Sequence, residues 1–364
     1  MSLRDQRQKE FAQVWLDKRW GILNLCPRFG KIYTTINILE QMDKNTSILI
    51  AYPDAKIKDS WVEDFKTRKY TNTNITYTTH LSLHKHETNS FDLVIIDEIH
   101  LLSDNQLDVC ENLFDYNKQV LGLTGTLSTW TETEIWERLR LPVLANYSIK
   151  QAIEEGVIVD YQITVLKVPL DTSTPITIKG KSRTEKKHFD ACSWVIQSLD
   201  EQGKNTMMLR LKRMRLIQGS TAKLNMTKAV LNKYADERIL VFCGTTDIAD
   251  SLGIPSHHSK SSDKEAFKKF AEGEGNHMAV VKIGNTGVTY KPLNKVILNY
   301  FDSNAENLAQ KVNRCMAMEY NNPDKKAQIY IISTNEPVEE KWLNKALEFF
   351  DKDKIKVVNI DKIP

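Results

Sequence analysis

The stretch GILNLCPRFGKIYTTINILEQM (21–42) passes from an apolar run through a short loop into apolar residues at helical spacing. This order predicts a strand, a tight loop and a helix. At such a junction the first backbone N–H groups of the helix and the helix dipole can hold a phosphate. Gly30 permits close approach of the backbone, and Lys31 would place its ammonium group on the outer phosphates. The stretch therefore predicts a phosphate-binding loop in an α/β domain.

The loop matches the common phosphate-loop pattern only in part. Ile32 follows Lys31 where a Ser or Thr ordinarily gives a hydroxyl to Mg²⁺, and the first glycine of the pattern is missing. Taken alone, a Gly-Lys pair before a helix is more often a glycine turn with a solvated lysine. A second motif downstream changes this interpretation.

That second motif is DLVIIDEIH (92–100), an apolar run that ends in the adjacent acids Asp97 and Glu98, followed by His100. Carboxylates at the carboxyl end of a buried parallel strand lie where such sheets bind ligands. We expect Asp97 to hold Mg²⁺ through water, and Glu98 to orient and deprotonate an attacking water. One acid at a strand end is a common turn feature, but two acids after a continuous apolar run indicate a catalytic site.

Similar apolar runs recur along the chain, at 21–26, 47–52, 74–78, 92–98 and 119–126, and again at 238–243, 277–283, 295–300 and 327–333. Segments with helical spacing separate them, and this alternation predicts parallel α/β sheets. Two sets of runs predict two lobes in tandem, over 1–165 and 226–364. We expect a basic linker and helical connection at 166–225, with a mobile loop at 170–190 and a long helix through 226–236.

Composition sets limits on the class of protein. A chain of 364 residues, 41% of them hydrophobic and 27% charged, fits two packed soluble domains. The formal charge of +3 gives no overall case for a nucleic-acid partner, so that case depends on local patches. The five cysteines are scattered, which argues against a disulfide framework or a zinc site. No apolar run is long enough for a membrane span, and we expect a cytoplasmic protein.

Taken in order, these motifs resemble those of the superfamily 2 helicases, whose second motif is a DExH box. LTGTLS (123–128) looks like the third motif, in which Thr124 and Thr126, together with His100, link the nucleotide site to the interlobe contact. YSIKQAIEEGVIVDY (147–161) is similar to the segment that closes the first lobe in the phage UvsW, XPB and restriction-motor branch. The resemblance implies two RecA-like lobes that hydrolyse ATP in the cleft between them while they grip nucleic acid.

The resemblance also assigns ATP and Mg²⁺ as cofactors and carries nucleotide contacts onto this sequence. LRDQRQ (3–8) is similar to an adenine-contacting region, with Gln6 or Gln8 in that role. KIGNTGVT (282–289) matches the fifth motif, in which Gly287 touches the nucleotide and Thr289 stands where an aspartate is usual. The phosphate loop contributes Pro27, Arg28, Phe29, Gly30, Lys31 and Ile32.

QKVNRCMAM (310–318) stands where the sixth motif belongs. By resemblance, Gln310 faces the γ-phosphate and Arg314 acts as an arginine finger that stabilises the developing charge. Asn313 replaces the usual glycine, and Ala317 replaces the usual second arginine. Because loss of an arginine from such a site costs on the order of a thousandfold in rate, these departures bear on the speed of the motor.

Nucleic-acid contacts are expected mainly at phosphates, because a motor must grip any sequence. The resemblance places them at Tyr52, Pro53, Thr78, Thr79, Gly244, Thr245 and Thr286. The basic cluster RLKRMR (210–215) is equally consistent with strand binding and with an amphipathic helix that has a solvated basic face. The basic loop from Lys179 to Lys187 likewise fits either a solvated linker or a phosphate clamp.

Two other features are given structural interpretations. His80, His84 and His86 have no carboxylate or cysteine partner beside them, so a polar surface loop is expected rather than a metal site. The seven tryptophans are expected in the core or at the lobe interface.

Three functional hypotheses follow. The leading one is a monomeric nucleic-acid-dependent ATPase that acts on DNA, as the similar branch does, with RNA not excluded. The second is a nucleic-acid-binding module whose ATPase has decayed, motivated by Ile32, Thr289 and Ala317. The third is the motor part of a larger replication, recombination or restriction assembly, in which any nuclease activity belongs to a partner protein.

Overall fold

A computed structural model describes residues 2–55, 57–72, 74–86, 91–114, 118–178, 180–261, 264–281, 290–291, 293–317 and 325–360. Within these ranges the chain forms two compact units, one up to Val159 and one from Asp160 onward. The expected lobe boundary lay near residue 165, in the middle of what proves to be a strand of the second unit.

The first unit is built on a parallel sheet of six described strands in the order β3-β2-β4-β5-β1-β6. The strands are β1 (Trp20–Leu25), β2 (Ile48–Tyr52), β3 (Ile75–Thr79), β4 (Leu93–Asp97), β5 (Gln119–Thr124) and β6 (Val143–Tyr147). Every residue of β2 and β4 is buried, as expected for strands covered on both faces. The five apolar runs predicted in this half are therefore confirmed as strands, and β6 was not anticipated.

Helices occupy the connections between these strands. They are α1 (Leu3–Lys18), α2 (Lys31–Leu39), α3 (Ile57–Thr67), α4 (Asp104–Leu113), α5 (Thr129–Leu139) and α6 (Ile149–Glu154), with short 3-10 helices at His80–Lys85 and Ile99–Leu101. Several begin at a side-chain cap; Ser2, for example, accepts from the backbone N–H of Asp5. Because the helical crossovers let every strand run in the same direction, the carboxyl ends of β1 to β5 lie at one edge of the sheet.

The second unit contains a parallel sheet of seven described strands in the order β11-β12-β10-β13-β14-β7-β15. Its strands are β7 (Asp160–Val168), β10 (Ile239–Cys243), β11 (Ser256–His257), β12 (His277–Val281), β13 (Lys295–Leu298), β14 (Lys326–Thr334) and β15 (Ile355–Asn359). Helices pack around it: α7 (Glu185–Glu201), α8 (Met207–Gln218), α9 (Thr221–Lys233), α10 (Thr246–Ser251), α11 (Lys264–Glu272), α12 (Ala305–Val312) and α13 (Pro337–Ala346). Two parallel sheets flanked by helices confirm the predicted tandem α/β architecture.

The region expected to be a basic linker and helical connection does contain helices, but a hairpin replaces the expected loop. Two short strands, β8 (Pro175–Ile178) and β9 (Lys181–Thr184), pair as an antiparallel hairpin, and α7 and α8 follow. Glu185, at the start of α7, is buried and accepts from Ser220 Oγ at 3.0 Å and from the backbone N–H of Thr221. The helix predicted through 226–236 begins earlier, at Thr221, because Ser220 caps it.

None of the helices within the described ranges is long and apolar enough to cross a lipid bilayer.

Candidate functional site

The carboxyl edge of the first sheet gathers most of the residues predicted to carry chemistry. The phosphate loop leaves β1, the acids Asp97 and Glu98 end β4, and Thr124 ends β5. Lys31, the first residue of α2, reaches across this edge to contact the carboxylate of Glu98. The loop and the acids, separated by many residues in sequence, therefore share one site.

The phosphate loop has a conformation that demands unusual backbone angles. Gly30, the N-cap of α2, has φ 101° and ψ 57°, in a region that favours glycine. Arg28, two residues earlier in the loop, also has a left-handed φ, of 67°. The first-turn N–H groups of α2 have no partner inside the helix, so they are suited to bind an anion.

A buried glutamine of α1 supports this loop. Gln8 is only 3% exposed, and its Nε2 donates to the carbonyl oxygen of Phe29 at 2.9 Å. Gln6, in contrast, donates to Glu10 at the surface of the same helix. Of the two glutamines considered from the sequence, the structure brings Gln8 to the loop, because Gln6 lies on the outward face of α1.

Lys31 and the two acids form a coupled group of charges. Lys31 Nζ pairs with Glu98 and lies 3.9 Å from Asp97 Oδ1. Burial alone would lower the pKa of Lys31, but the two carboxylates hold it above its usual value. Burial raises the pKa of Asp97 to about 6, against the opposing effect of Lys31. Burial also acts to raise the pKa of Glu98, but Lys31 more than offsets it and lowers the pKa.

Two residues that the sequence did not assign to the site hold Asp97 in place. Trp61, fully buried on α3, donates its Nε1–H to Asp97 Oδ2 at 3.0 Å. His80 is also buried, and its Nε2 lies 2.9 Å from the carbonyl oxygen of Asp97. The expectation of a polar surface loop is thus wrong for His80. Helical spacing with Phe65 was the sequence signal at Trp61, and it indicated only a core position.

His100, Thr124 and Thr126 form a second polar group beside the acids. Thr124 Oγ1 donates to the carbonyl oxygen of Thr126 at 2.9 Å and lies 2.8 Å from His100 Nδ1. Because Thr124 Oγ1 donates its only hydrogen to Thr126, it must accept from His100, so the ring proton lies on His100 Nδ1. That nitrogen also lies 3.5 Å from Glu98 Oε2. Burial lowers the pKa of His100 to about 4, so the ring is neutral at neutral pH.

The side chains at this edge fit a magnesium ion bound mainly through its substrate. Asp97 Oδ1 is buried and accepts no hydrogen bond within the described ranges. No group of three His, Cys, Asp or Glu side chains suited to a metal occurs among the described residues. Mg²⁺ needs few protein ligands when water and phosphate oxygens complete its shell, so one carboxylate oxygen suffices.

At the usual position, α2 offers no side-chain hydroxyl to a magnesium ion. Ile32 occupies the position that ordinarily provides it. The hydroxyls of Thr34 and Thr35 instead donate to the carbonyl oxygens of Gly30 and Lys31, at 3.3 and 3.1 Å. Both threonines are also fully buried, so neither presents its hydroxyl at the open edge of the site in this conformation.

The residues expected to contact nucleic acid also follow strand ends. In the first unit, Tyr52 and Thr78 are buried near the ends of β2 and β3, and Pro53 and Thr79 are half-buried. Thr79 is the last residue of β3.

In the second unit, Gly244 and Thr245 follow β10, and Thr245 caps α10 by accepting from the N–H of Ile248. Gln310 lies on α12 and Arg314 in the 3-10 helix that follows it. Asn313, which replaces the usual glycine, is buried. The expectations for Thr286, Gly287 and Thr289 fall outside the described residues.

Known proteins are similar to this chain over much of its length. The family described as "Type III restriction enzyme, res subunit" matches residues 22–129, which include the loop and both acids. The "DNA 3'-5' translocase XPB2" of Sulfurisphaera tokodaii is 23% identical over 324 residues, covering 79% of this chain and 72% of that protein. The "Type I restriction enzyme EcoAI endonuclease subunit" of Escherichia coli is 23% identical over 191 residues, covering 50% of this chain but only 22% of that protein.

Solved structures agree on the fold. S. cerevisiae Dbp5 bound to RNA and ADP BeF3 superimposes with a TM-score of 0.62 at 11% identity, covering 97% of this chain and 89% of that one. The similarity spans both parallel sheets. The ordered motifs, the shared site at the carboxyl edge of the first sheet and these relatives together show that the chain is similar to the superfamily 2 helicases.

Proposed function

We propose that the chain is an ATPase stimulated by nucleic acid, which uses Mg²⁺ and acts on DNA. One observation carries the proposal: Lys31, Asp97 and Glu98 share a buried site at the N-terminus of α2. A helix N-terminus with a lysine suits the outer phosphates of a nucleotide, and a carboxylate pair suits metal-assisted hydrolysis. The similarity to a protein named as a DNA translocase supports DNA as the polymer.

Each side chain of the site then has a distinct task. Lys31 exchanges its contact with Glu98 for the outer phosphates, which frees that carboxylate to accept a proton from the attacking water. Asp97 Oδ1 would hold Mg²⁺ through water, and the ion would neutralise phosphate charge. Trp61 and His80 keep the carboxylate and backbone of Asp97 in position. Gln8 holds the loop and lies where the resemblance places an adenine contact.

The remaining assignments rest on the resemblance. Gln310 and Arg314 would contact the γ-phosphate. Thr124, Thr126 and His100 would couple ATP binding and hydrolysis to the surface that binds nucleic acid. Arg314 is the more consequential of these residues, because Ala317 leaves no second arginine in the motif.

ATP turnover with and without DNA tests the proposal. Lys31→Ala and Glu98→Gln should abolish DNA-stimulated turnover, because one removes the phosphate contact and the other the base. Lys150→Ala and Glu154→Gln are matched controls, since both side chains are mostly exposed on α6 and should leave turnover unchanged. A wild-type rate that stays the same with single-stranded, duplex and forked DNA and with RNA would refute the proposal.

The absence of a hydroxyl at Ile32 favours a second candidate function, a nucleic-acid-binding module with a decayed ATPase. That module would bind DNA or ATP without hydrolysing ATP. Under this alternative, Ile32→Thr combined with Ala317→Arg should raise turnover steeply from a low base. Brisk turnover in the native protein that the two substitutions leave unchanged would exclude it.

A further inference from the structure

The helix α8 carries an unusual set of side chains for a surface helix. Arg210, Lys212, Arg213 and Arg215 lie within it, and it contains no acid. Only Ile217 and Gln218, in its last turn, are buried. Apolar and basic residues alternate around the helix instead of separating into two faces, so packing on the second unit does not account for its sequence.

A cavity of about 480 Å³ opens beside this helix. Met207, Leu211 and Met214 line one wall, at a spacing that places them on the same face of α8. Trp342 of α13 lines it from the other side. The exposed surface of the cavity is mainly apolar, and an indole ring with flexible thioethers is a surface on which a flat aromatic ring can stack.

Two cationic side chains lie at the edge of this apolar cavity. Lys204 and Arg210 lie at its lining, and Arg210 remains half exposed although it pairs with Asp200 at 2.6 Å. Lys212 and Arg215 are exposed on another side of α8 and do not line this cavity. An apolar cavity for a ring, bordered by cations, matches the two parts of a nucleotide in a strand.

We propose that this cavity takes an unstacked base of single-stranded DNA while Lys204 and Arg210 at its edge contact the backbone phosphates. The inference rests on the proposed function, because it assigns a second contact for the same polymer. A second copy of the chain fits less well, since a twofold interface through α8 would place like charges against each other.

Binding of two probes separates the base contact from the phosphate contact. One is fluorescein-labelled oligo(dT) of about 20 nucleotides, longer than a single stacking site, and the other has the same backbone with abasic sites. The full chain without nucleotide should bind the first at least about fivefold more tightly, from stacking of one base. Met207→Glu, at a side chain that is 64% exposed, should reduce that ratio to near one.

Reversing the charge of the cations tests their predicted contact with the backbone phosphates. Lys204→Glu with Arg210→Glu should weaken binding of both probes alike and lower the slope of log affinity against log salt by about two. Lys268→Glu on α11 is the matched control, because its side chain is 76% exposed and lies outside the basic cluster. None of these variants should change ATP turnover measured without DNA, which also shows that the variants fold.

Photocrosslinking provides a test without substitutions. Oligo(dT) that carries 5-iodouracil should crosslink to the wild-type chain at Trp342 or at the peptide containing Met207. A ratio of probe affinities unchanged in Met207→Glu, or crosslinks that all map elsewhere, would overturn the proposal. So would a dimer that Met207→Glu converts to a monomer, since the face would then bind a second copy. If the probes bind as expected but DNA does not stimulate ATP turnover, the proposed function fails and the cavity assignment stands.

Discussion

Replacing Gly30 with alanine tests whether the phosphate loop depends on contact with α1. A Cβ at Gly30 would lie 2.5 Å from Gln8 Nε2, too close for any real contact. It would also force alanine to adopt φ 101°, at a cost of about 1–3 kcal/mol. Gln8 must then move and give up its bond to Phe29, which adds about 1 kcal/mol. We expect Gly30→Ala to lower the free energy of unfolding by about 2–4 kcal/mol.

Gly156→Ala is the matched control. Gly156 also has a left-handed φ, 66°, but nothing lies within 4 Å of a Cβ built there. Its substitution should therefore cost only the backbone strain, about 1–2 kcal/mol. Urea unfolding followed by circular dichroism measures both variants. Because a chain with two units can unfold in two steps, the step that shifts with Gly156→Ala identifies the first unit.

A double-mutant cycle isolates the contact between Gly30 and Gln8. Gln8→Ala removes the same hydrogen bond that Gly30→Ala disrupts, so the double variant should be about 1 kcal/mol more stable than the sum of the single effects. Affinity for a fluorescent ATP analogue, measured by anisotropy, should fall in both single variants. Equal destabilisation by Gly30→Ala and Gly156→Ala, with additive effects in the cycle, would refute the reasoning.

Three further predictions concern single side chains. Trp61→Phe removes the donor to Asp97 Oδ2, and we expect a loss of about 2–3 kcal/mol in unfolding free energy with a higher Mg²⁺ requirement for turnover; unchanged Mg²⁺ titrations would contradict it. Lys223→Met leaves buried Glu339 without its cation 2.7 Å away, so urea unfolding should show a loss of about 3–5 kcal/mol, and a loss under 1 kcal/mol would show the pair to be dispensable. Hydrogen bonds, first from the backbone N–H of Ser173, lower the pKa of Asp171 to about 2. The stability that this carboxylate contributes is fully present above its unfolded-state pKa of about 3.9 and is lost as the pH falls toward 2. Asp171→Asn should therefore make the melting temperature less dependent on pH over this range.

The strands of both sheets were largely predictable because buried parallel strands are continuous apolar runs. Nine runs predicted strands, and all nine are strands in the structure. The missed strands lacked that signal. Residues of β6 and β15 are mostly half-buried or exposed, and β7 follows directly on the first unit although it pairs in the second sheet. The sequence of β7 does not reveal which sheet it joins, because its partners β14 and β15 are far away along the chain.

The region at 170–190 was misread for a related reason. Its polar and basic composition indicated a mobile linker, yet β8 and β9 form a hairpin. The start of α7 is anchored there by buried Glu185. A buried acid whose donors, here Ser220 and Thr221, are far away in sequence cannot be distinguished from a solvated acid by composition alone.

By itself, the sequence determined the architecture of parallel sheets, the turn at Gly30 and Lys31 between a strand and a helix, and the position of the acids Asp97 and Glu98 at a strand end, because apolar periodicity and the residue types at strand ends are local properties. The tertiary structure alone decided that Gln8 supports the loop and that Trp61 holds Asp97, because those partners are far apart in sequence and meet only when the strand order is formed. The cavity between α8 and Trp342 arises in the same way, from helices whose contact no local pattern encodes.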